Sequence, residues 1–118
     1  MDPESYLPVN PRDYLILFAL TTGPRHGYGI VKEVERDSGG TVKLDPANLY
    51  RSIKRLIRDG LVADEGQAGA EEGEADRRRY YGITEMGRRV VTLEAARLAE
   101  LADAARARKL IGRQGDDA

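Results

Sequence analysis

The residues whose types and spacing suggest chemistry lie in one short segment near the middle of the 118-residue chain. Asp45-Pro46 is an N-cap followed by proline at the first helical position, and Gly60 stands where a left-handed C-terminal cap belongs, so a helix over residues 45–59 is expected. At about 100° per residue its apolar side chains fall on one face. The opposite face and its edge carry polar and cationic residues, namely Asn48, Tyr50, Arg51, Lys54, Arg55 and Arg58. Such a face can bind phosphates and the base edges of a DNA major groove.

A solvated amphipathic helix would show the same pattern, and a formal net charge of −1 does not by itself indicate nucleic-acid binding. The charges are, however, separated along the chain. Arg77, Arg78 and Arg79 form a basic triplet, whereas residues 64–76 contain six acids and no base. The triplet is therefore a second candidate contact with DNA, and the acidic segment would be repelled by phosphate.

The sequence does not assemble a catalytic or metal site. Cysteine is absent and histidine occurs once, which excludes thiolate and His-rich zinc sites. His26 could act as a base, but no nucleophile motif accompanies it, and a cap on the second helix is the better interpretation. Gly27-Tyr28-Gly29 is not followed by the Lys-Ser/Thr of a phosphate loop, so its glycines indicate close packing or turn chemistry. We therefore expect no enzyme, no cofactor and no metal.

Two apolar helices are expected before the basic helix. Asn10-Pro11 opens the first, whose apolar run over residues 14–20 indicates burial on nearly all sides. The second is expected over residues 28–37. Residues 41–44 alternate weakly, as in a short strand. The apolar run is far too short to span a bilayer, so no membrane association and a cytoplasmic location are expected.

Two short strands are expected after the basic helix. Residues 61–63 and 79–83 would pair as a hairpin around a glycine-containing acidic loop over residues 66–74. Tyr80 and Tyr81 alternate across the second strand, so one of them is expected to face the core. Helix, helix, basic helix and hairpin is the order of a winged helix-turn-helix, so we expect an α+β, mostly helical fold of that type.

Thr84 is an N-cap for a last helix expected over residues 85–111, about 40 Å long at ~1.5 Å per residue. Its apolar residues follow a spacing of four and three that is typical of helix pairing, and Leu101 widens the seam. The seam residues are Val91, Ala95, Leu98, Leu101, Ala102 and Ala105. The chain is thus expected to comprise a winged helix-turn-helix DNA-binding domain (1–84), a C-terminal dimerisation helix (85–111) and a disordered tail (112–118).

Three groups of residues carry a family resemblance. They are Leu15-Ile16-Leu17 with Gly23-Pro24-Arg25-His26-Gly27-Tyr28-Gly29-Ile30, then Asn48-Leu49-Tyr50 with Leu56 and Asp59-Gly60-Leu61-Val62, then Arg79-Tyr80-Tyr81-Gly82-Ile83-Thr84-Glu85-Met86-Gly87. In this order they resemble the PadR family of bacterial transcriptional regulators, in its short form with a single C-terminal helix. The resemblance implies a dimeric winged-helix repressor of double-stranded DNA, dimerised through that helix and often responsive to a small aromatic or drug-like effector.

The resemblance assigns DNA reading to residues 45–59 and the wing to residues 61–83, so that Tyr50, Arg51, Lys54 and Arg55 inherit the contact role. Two-fold symmetry of a dimer would match a palindromic operator, with the two reading helices roughly 34 Å apart. An effector between subunits would be lined by apolar residues of the first and last helices.

Two features depart from the family pattern. Arg51 stands where the family commonly has a proline, which adds a potential contact and removes a fixed kink. The wing acids Glu71, Glu72, Glu74 and Asp76 would be repelled by phosphate, so any wing contact is expected from the arginine triplet at its base. An acidic wing also suits a basic protein partner, and a winged-helix protein–protein interaction module without DNA binding is the alternative hypothesis.

Overall fold

The computed structural model of the chain describes residues 2–68 and 78–112. A short 3-10 helix at Pro3–Tyr6 precedes four α-helices and three strands. The elements are α1 (Pro11–Ala19), β1 (Arg25–His26), α2 (Gly27–Asp37), α3 (Pro46–Arg58), β2 (Val62–Ala68), β3 (Arg78–Ile83) and α4 (Glu85–Ala107). This order confirms the expected mostly helical α+β fold.

Each α-helix begins at a side chain that accepts a hydrogen bond from a backbone N–H of its first turn. The four capping residues are Asn10 for α1, His26 for α2, Asp45 for α3 and Thr84 for α4. These contacts satisfy donors that the first turn of a helix leaves without an intrahelical partner. The caps expected at Asn10, Asp45 and Thr84 are confirmed, and so is the interpretation of His26 as a cap, since its Nδ1 accepts from the N–H of Gly29 at 3.0 Å.

The three strands form an antiparallel sheet in which β3 lies between β1 and β2. Val62 is paired with Ile83, and the register shifts between Asp64 and Gly66, where Gly66 has a φ of +85°. β2 continues to Ala68, so it includes residues 66–68, which the sequence assigned to the loop. The remainder of that loop lies outside the described residues.

The strand expected at residues 41–44 is wrong, because this segment is an irregular connection. The Ser38 hydroxyl accepts a hydrogen bond from the Val42 N–H at 3.0 Å, and the Thr41 N–H donates to the Ser38 carbonyl at 3.2 Å. These turn contacts replace a strand ladder. The third strand is instead β1, a two-residue element that pairs Arg25 with Tyr81.

One hydrophobic core joins all four α-helices to the sheet. Its buried members are Ile16, Leu17, Leu20, Ile30, Val34, Leu44, Leu49, Ile53, Leu56, Leu61, Val62, Tyr81, Val90 and Val91. α1 is not buried on all sides as its sequence suggested, since Phe18 is 43% exposed and its ring stacks on that of Tyr14 at 5.9 Å. The side of α1 that carries Tyr14 and Phe18 is therefore an apolar surface patch.

The first half of α4 packs into the core, where Val90, Val91 and Glu94 are buried. Its second half carries exposed side chains. α4 ends at Ala107 and not at residue 111, because Lys109 adopts a φ of 62° and the Leu110 N–H turns back to the Ala105 carbonyl at 2.9 Å. Across residues 2–68 and 78–112, no helix combines the length and apolar character needed to cross a membrane.

The segment before α1 contacts both α3 and α4. The Tyr6 hydroxyl donates to the carbonyl of Asp59, the C-cap of α3, at 3.0 Å. The Val9 N–H donates to the buried carboxylate of Glu94 at 2.9 Å. The Arg97 guanidinium also donates to that carboxylate and lowers the pKa of Glu94 below its ordinary value. The N-terminal segment thus connects the end of α3 to the middle of α4.

Candidate nucleic-acid interface

The cationic helix predicted from the sequence is α3, and its cap residues hold it as expected. Leu49, Ser52, Ile53 and Leu56 are buried against the core. The Asp45 carboxylate accepts from the backbone N–H of Asn48 at 2.8 Å and from its side-chain amide at 2.9 Å. The Asn48 amide oxygen in turn accepts a hydrogen bond from Arg51. This chain of contacts orients Asn48 and Arg51 in the first two turns of the helix.

Three cations of α3 lie at the surface. Arg51 and Lys54 are exposed, and Arg58 is also exposed, with its Nε 3.7 Å from a carboxylate oxygen of Asp59. No acidic residue occurs within α3 itself. The exposed face of the helix therefore has a positive charge that is available to a phosphate backbone.

Arg55 differs from these three residues. One of its terminal nitrogens, Nη2, lies 2.6 Å from each carboxylate oxygen of Asp13 on α1. Asp13 is buried, and the side-chain amide of Asn10 donates to it at 3.0 Å. Arg55 is half-buried and connects α3 to α1. Its predicted contact with DNA stays a prediction.

Tyr50 lies at the edge of the cationic face and packs on the first residue of α2. A Cβ added to Gly27 would lie 2.8 Å from the Tyr50 hydroxyl oxygen and 3.3 Å from a methyl carbon of Leu49. The interpretation of Gly27 as a close-packing glycine is thereby confirmed. The contact brings the start of α2 next to α3, as the compact crossing of a helix-turn-helix requires.

An aromatic group at the start of α2 was missed in the sequence. Tyr28 is 62% exposed, its ring stacks on that of His26 at 6.3 Å, and Lys32 Nζ lies 5.6 Å from the Tyr28 ring centroid. The spacing of Tyr28 and Lys32, four residues apart on a helix, is the signal that could have indicated it. These side chains form an exposed aromatic and cationic group at the start of α2.

The wing contributes one described side chain of the arginine triplet. Arg79 forms an ion pair with Asp64 across β2 and β3, with Nη1–Oδ distances of 2.9 and 3.0 Å. The Gly66 N–H and the Arg79 guanidinium together lower the pKa of Asp64. Arg77, the side chain of Arg78 and the acids Glu71, Glu72, Glu74 and Asp76 lie outside the described part of the chain.

The two tyrosines of β3 face opposite sides, as predicted. Tyr81 is buried in the core, whereas Tyr80 is half-buried and its ring lies edge-on to that of His26 at 5.4 Å. Burial raises the pKa of the Tyr81 phenol above its ordinary value. The wing is therefore attached to the start of α2 through His26 and to the core through Tyr81.

The seam expected on α4 is divided between two environments. Val91 belongs to the core of its own domain. Beyond it, Leu98 is 38% and Leu101 54% exposed, Ala95 is exposed, and Ala102 and Ala105 are half-buried. A groove of about 420 Å³ beside this surface is lined by residues that include Tyr14, Leu15 and Leu98.

This arrangement of three helices, a β-hairpin and a small antiparallel sheet defines a winged helix-turn-helix protein. The family model of the PadR-like transcriptional regulators matches residues 16–93, which is more than half of the chain. The chain therefore belongs to the PadR-like family of transcriptional regulators, and the resemblance found in its sequence is confirmed.

Solved structures share this fold. A PadR family transcription regulator from Clostridium difficile R20291 is 20% identical, with a TM-score of 0.69 over 82% of this chain and 96% of that chain. Bacillus subtilis PadR, solved in complex with operator DNA, is 21% identical, with a TM-score of 0.60 over 72% of this chain and 45% of that chain. At these identities the likeness shows the fold alone.

A curated relative is more similar in sequence. The uncharacterized 37.1 kDa protein in transposon TN4556 of Streptomyces fradiae is 35% identical over 92 residues, which cover 78% of this chain. The chain spans only about a quarter of that relative, 24% of its length.

Proposed function

We propose that this regulator binds double-stranded DNA as a homodimer, recognises a palindromic operator and represses transcription, acting in the cytoplasm without catalytic activity of its own. The observation that carries the proposal is the exposed cationic face of α3, which contains no acid and is held by the Asp45 cap. The family assignment and the Bacillus subtilis PadR structure with operator DNA support it.

The proposed contacts follow from the chemistry of the polar side chains on and beside this face, of which Asn48 is half-buried and the others named here on α3 are exposed. Arg51 and Lys54 are suited to guanine edges or phosphates, and Asn48 to adenine. Tyr50 and Arg58 are suited to phosphate oxygens at the borders of the groove. The basic triplet Arg77, Arg78 and Arg79 would contact the backbone from the base of the wing.

The reading role of α3 is tested by removing two exposed cations together. Arg51→Ala combined with Lys54→Ala should weaken duplex binding strongly and flatten the log–log salt dependence by about two, because each phosphate contact contributes a slope of about −0.9. Arg89→Ala on α4 is a matched control, since it removes an exposed, ion-paired arginine outside α3. Unchanged affinity and slope in the double variant would contradict the assignment.

The homodimer is proposed from the apolar surface of α4. Leu98 and Leu101 are exposed, and Ala102 and Ala105 continue the same seam, whose four-and-three spacing is that of paired helices. Leu98→Glu with Leu101→Glu should yield a folded monomer in sedimentation, whereas Ala96→Glu, on another side of the helix, should not. A double variant that sediments like the wild type would contradict this interface.

Two-fold symmetry of such a dimer would present both copies of α3 to one face of the duplex, which is the basis for proposing a palindrome. A small-molecule effector is proposed for the groove between α1 and α4, because that groove adjoins the proposed interface. Wild-type protein that lacked any duplex affinity would favour the alternative of a protein–protein interaction module.

A further inference from the structure

Arg55 is the one cation of α3 that the structure joins to another helix through a buried carboxylate, among the residues described. We propose that Arg55 is a positioning residue, which fixes α3 on α1 through Asp13 and acts on DNA only through that geometry. The inference rests on the proposed function and refines it, because it removes Arg55 from the residues that the sequence predicts to contact DNA.

The charges of the pair support this role. The Arg55 guanidinium donates to both oxygens of the Asp13 carboxylate at 2.6 Å, which is short even for charge-assisted hydrogen bonds. The Asp13 side chain is only 10% exposed, so its charge is weakly screened by water. An arginine neutralised in this way adds little to the attraction of phosphate. Among the described contacts, no buried carboxylate forms an ion pair with Arg51 or Lys54.

The carboxylate is itself held in place by the cap of α1. Asn10 donates from its side-chain amide to Asp13 at 3.0 Å and accepts from the Asp13 backbone N–H at 2.8 Å. Asp13 lies in the first turn of α1, where the helix dipole favours a negative charge. The acceptor for Arg55 is therefore oriented by α1 and does not depend on α3.

The position of Arg55 on α3 explains what the pair can control. Arg55 lies next to the buried Leu56 and one turn after Arg51, at the border between the apolar and cationic faces. Burial of Leu49, Ile53 and Leu56 determines which side of α3 faces the core, but the hydrophobic effect itself is non-directional. A directional ion pair at the border restrains rotation of α3 about its axis, and with it the angle at which Arg51 and Lys54 face the groove.

The test compares Asp13→Asn, Arg55→Gln and the double variant, with Lys54→Gln as the matched control on the same helix. The probes are a random-sequence duplex and the duplex enriched from it by selection on the wild-type protein. A positioning role predicts that both single variants lower the preference for the enriched duplex by a similar factor, roughly tenfold, and that the double variant loses no more. The salt slope on random duplex should stay at the wild-type value.

Lys54→Gln should instead lower the salt slope by about one, as expected for a phosphate contact. A lower salt slope in Arg55→Gln, together with unchanged or tighter duplex binding by Asp13→Asn, would overturn the inference and make Arg55 a DNA contact. Hydrogen exchange of the α3 amides provides a readout without DNA. Faster exchange in Asp13→Asn is expected, and unchanged exchange would overturn the inference. Absence of duplex binding by the wild type would contradict the proposed function alone.

Discussion

Replacing Gly87 by alanine tests how α4 is attached to the winged helix. Gly87 lies in the first turn of α4, and an added Cβ would lie 2.1 Å from the carbonyl oxygen of Leu61 and 2.9 Å from a side-chain carbon of Ile83. The nearer atom belongs to the backbone, so no side-chain rotation relieves the overlap. The start of α4 must shift instead.

The expected cost follows from that shift. Helix propensity alone favours alanine over glycine by about 1 kcal/mol. Overpacking costs about 1–3 kcal/mol. Moving the helix start also strains two hydrogen bonds of Thr84, from its N–H to Leu61 O at 3.1 Å and from its hydroxyl to Gly60 O at 2.6 Å. Each is worth about 1 kcal/mol, so the free energy of unfolding should fall by about 2–4 kcal/mol in total.

Urea denaturation followed by circular dichroism measures this difference. Gly29→Ala is the matched control, because its added Cβ would meet its nearest atoms at 3.5 Å, which is ordinary contact. That variant should unfold within about 0.5 kcal/mol of the wild type or be slightly more stable. Gly87→Ala with wild-type stability, or equal losses in both variants, would refute the reasoning.

Two further predictions concern the N-terminal segment and its anchors. The hydrogen bonds of Arg97 hold the pKa of Glu94 below its ordinary value of 4.5, so this carboxylate stabilises the fold above about pH 4.5 and the contribution is lost as pH falls through the lowered pKa. As the pH falls from 5 to 3, the wild type should therefore lose more stability than Glu94→Gln. Urea titrations at each pH measure this loss, and parallel curves of unfolding free energy against pH for the two proteins would argue against the prediction. Tyr6→Phe should cost about 1 kcal/mol, because the Asp59 carbonyl loses its donor. Thermal melts of Tyr28→Phe, whose ring is exposed, are the comparison, and an equal effect in both would speak against the Tyr6 contact.

The helices could be predicted from the sequence because their end signals are local. Asp45-Pro46 and Gly60 mark α3, and both act within one turn of the helix they delimit. β1 could not be predicted in the same way, since it consists of two residues that become a strand only by pairing with β3. The weak alternation at residues 41–44 was misleading, because the Ser38 hydroxyl binds that backbone instead.

The candidate interface could likewise be predicted from the sequence only where its signals are local. The cationic face of α3 follows from helical periodicity alone. Arg51, Lys54 and Arg58 can therefore be assigned to that face from their spacing in the sequence. The partner of Arg55 was not predictable, because Asp13 lies 42 residues away and only tertiary packing brings the two together. The exposed group around Tyr28 was missed because its residues are interpreted individually as ordinary helix positions.

The most direct test of the central claim is a selection of random duplex DNA on the purified protein at moderate salt, followed by sequencing of the retained pool. We expect an enriched palindrome with half-sites about ten base pairs apart, which is one helical turn of DNA and the spacing of two copies of α3 in a dimer. A retained pool that stays random in sequence, and that competitor DNA releases from the protein, would contradict this expectation.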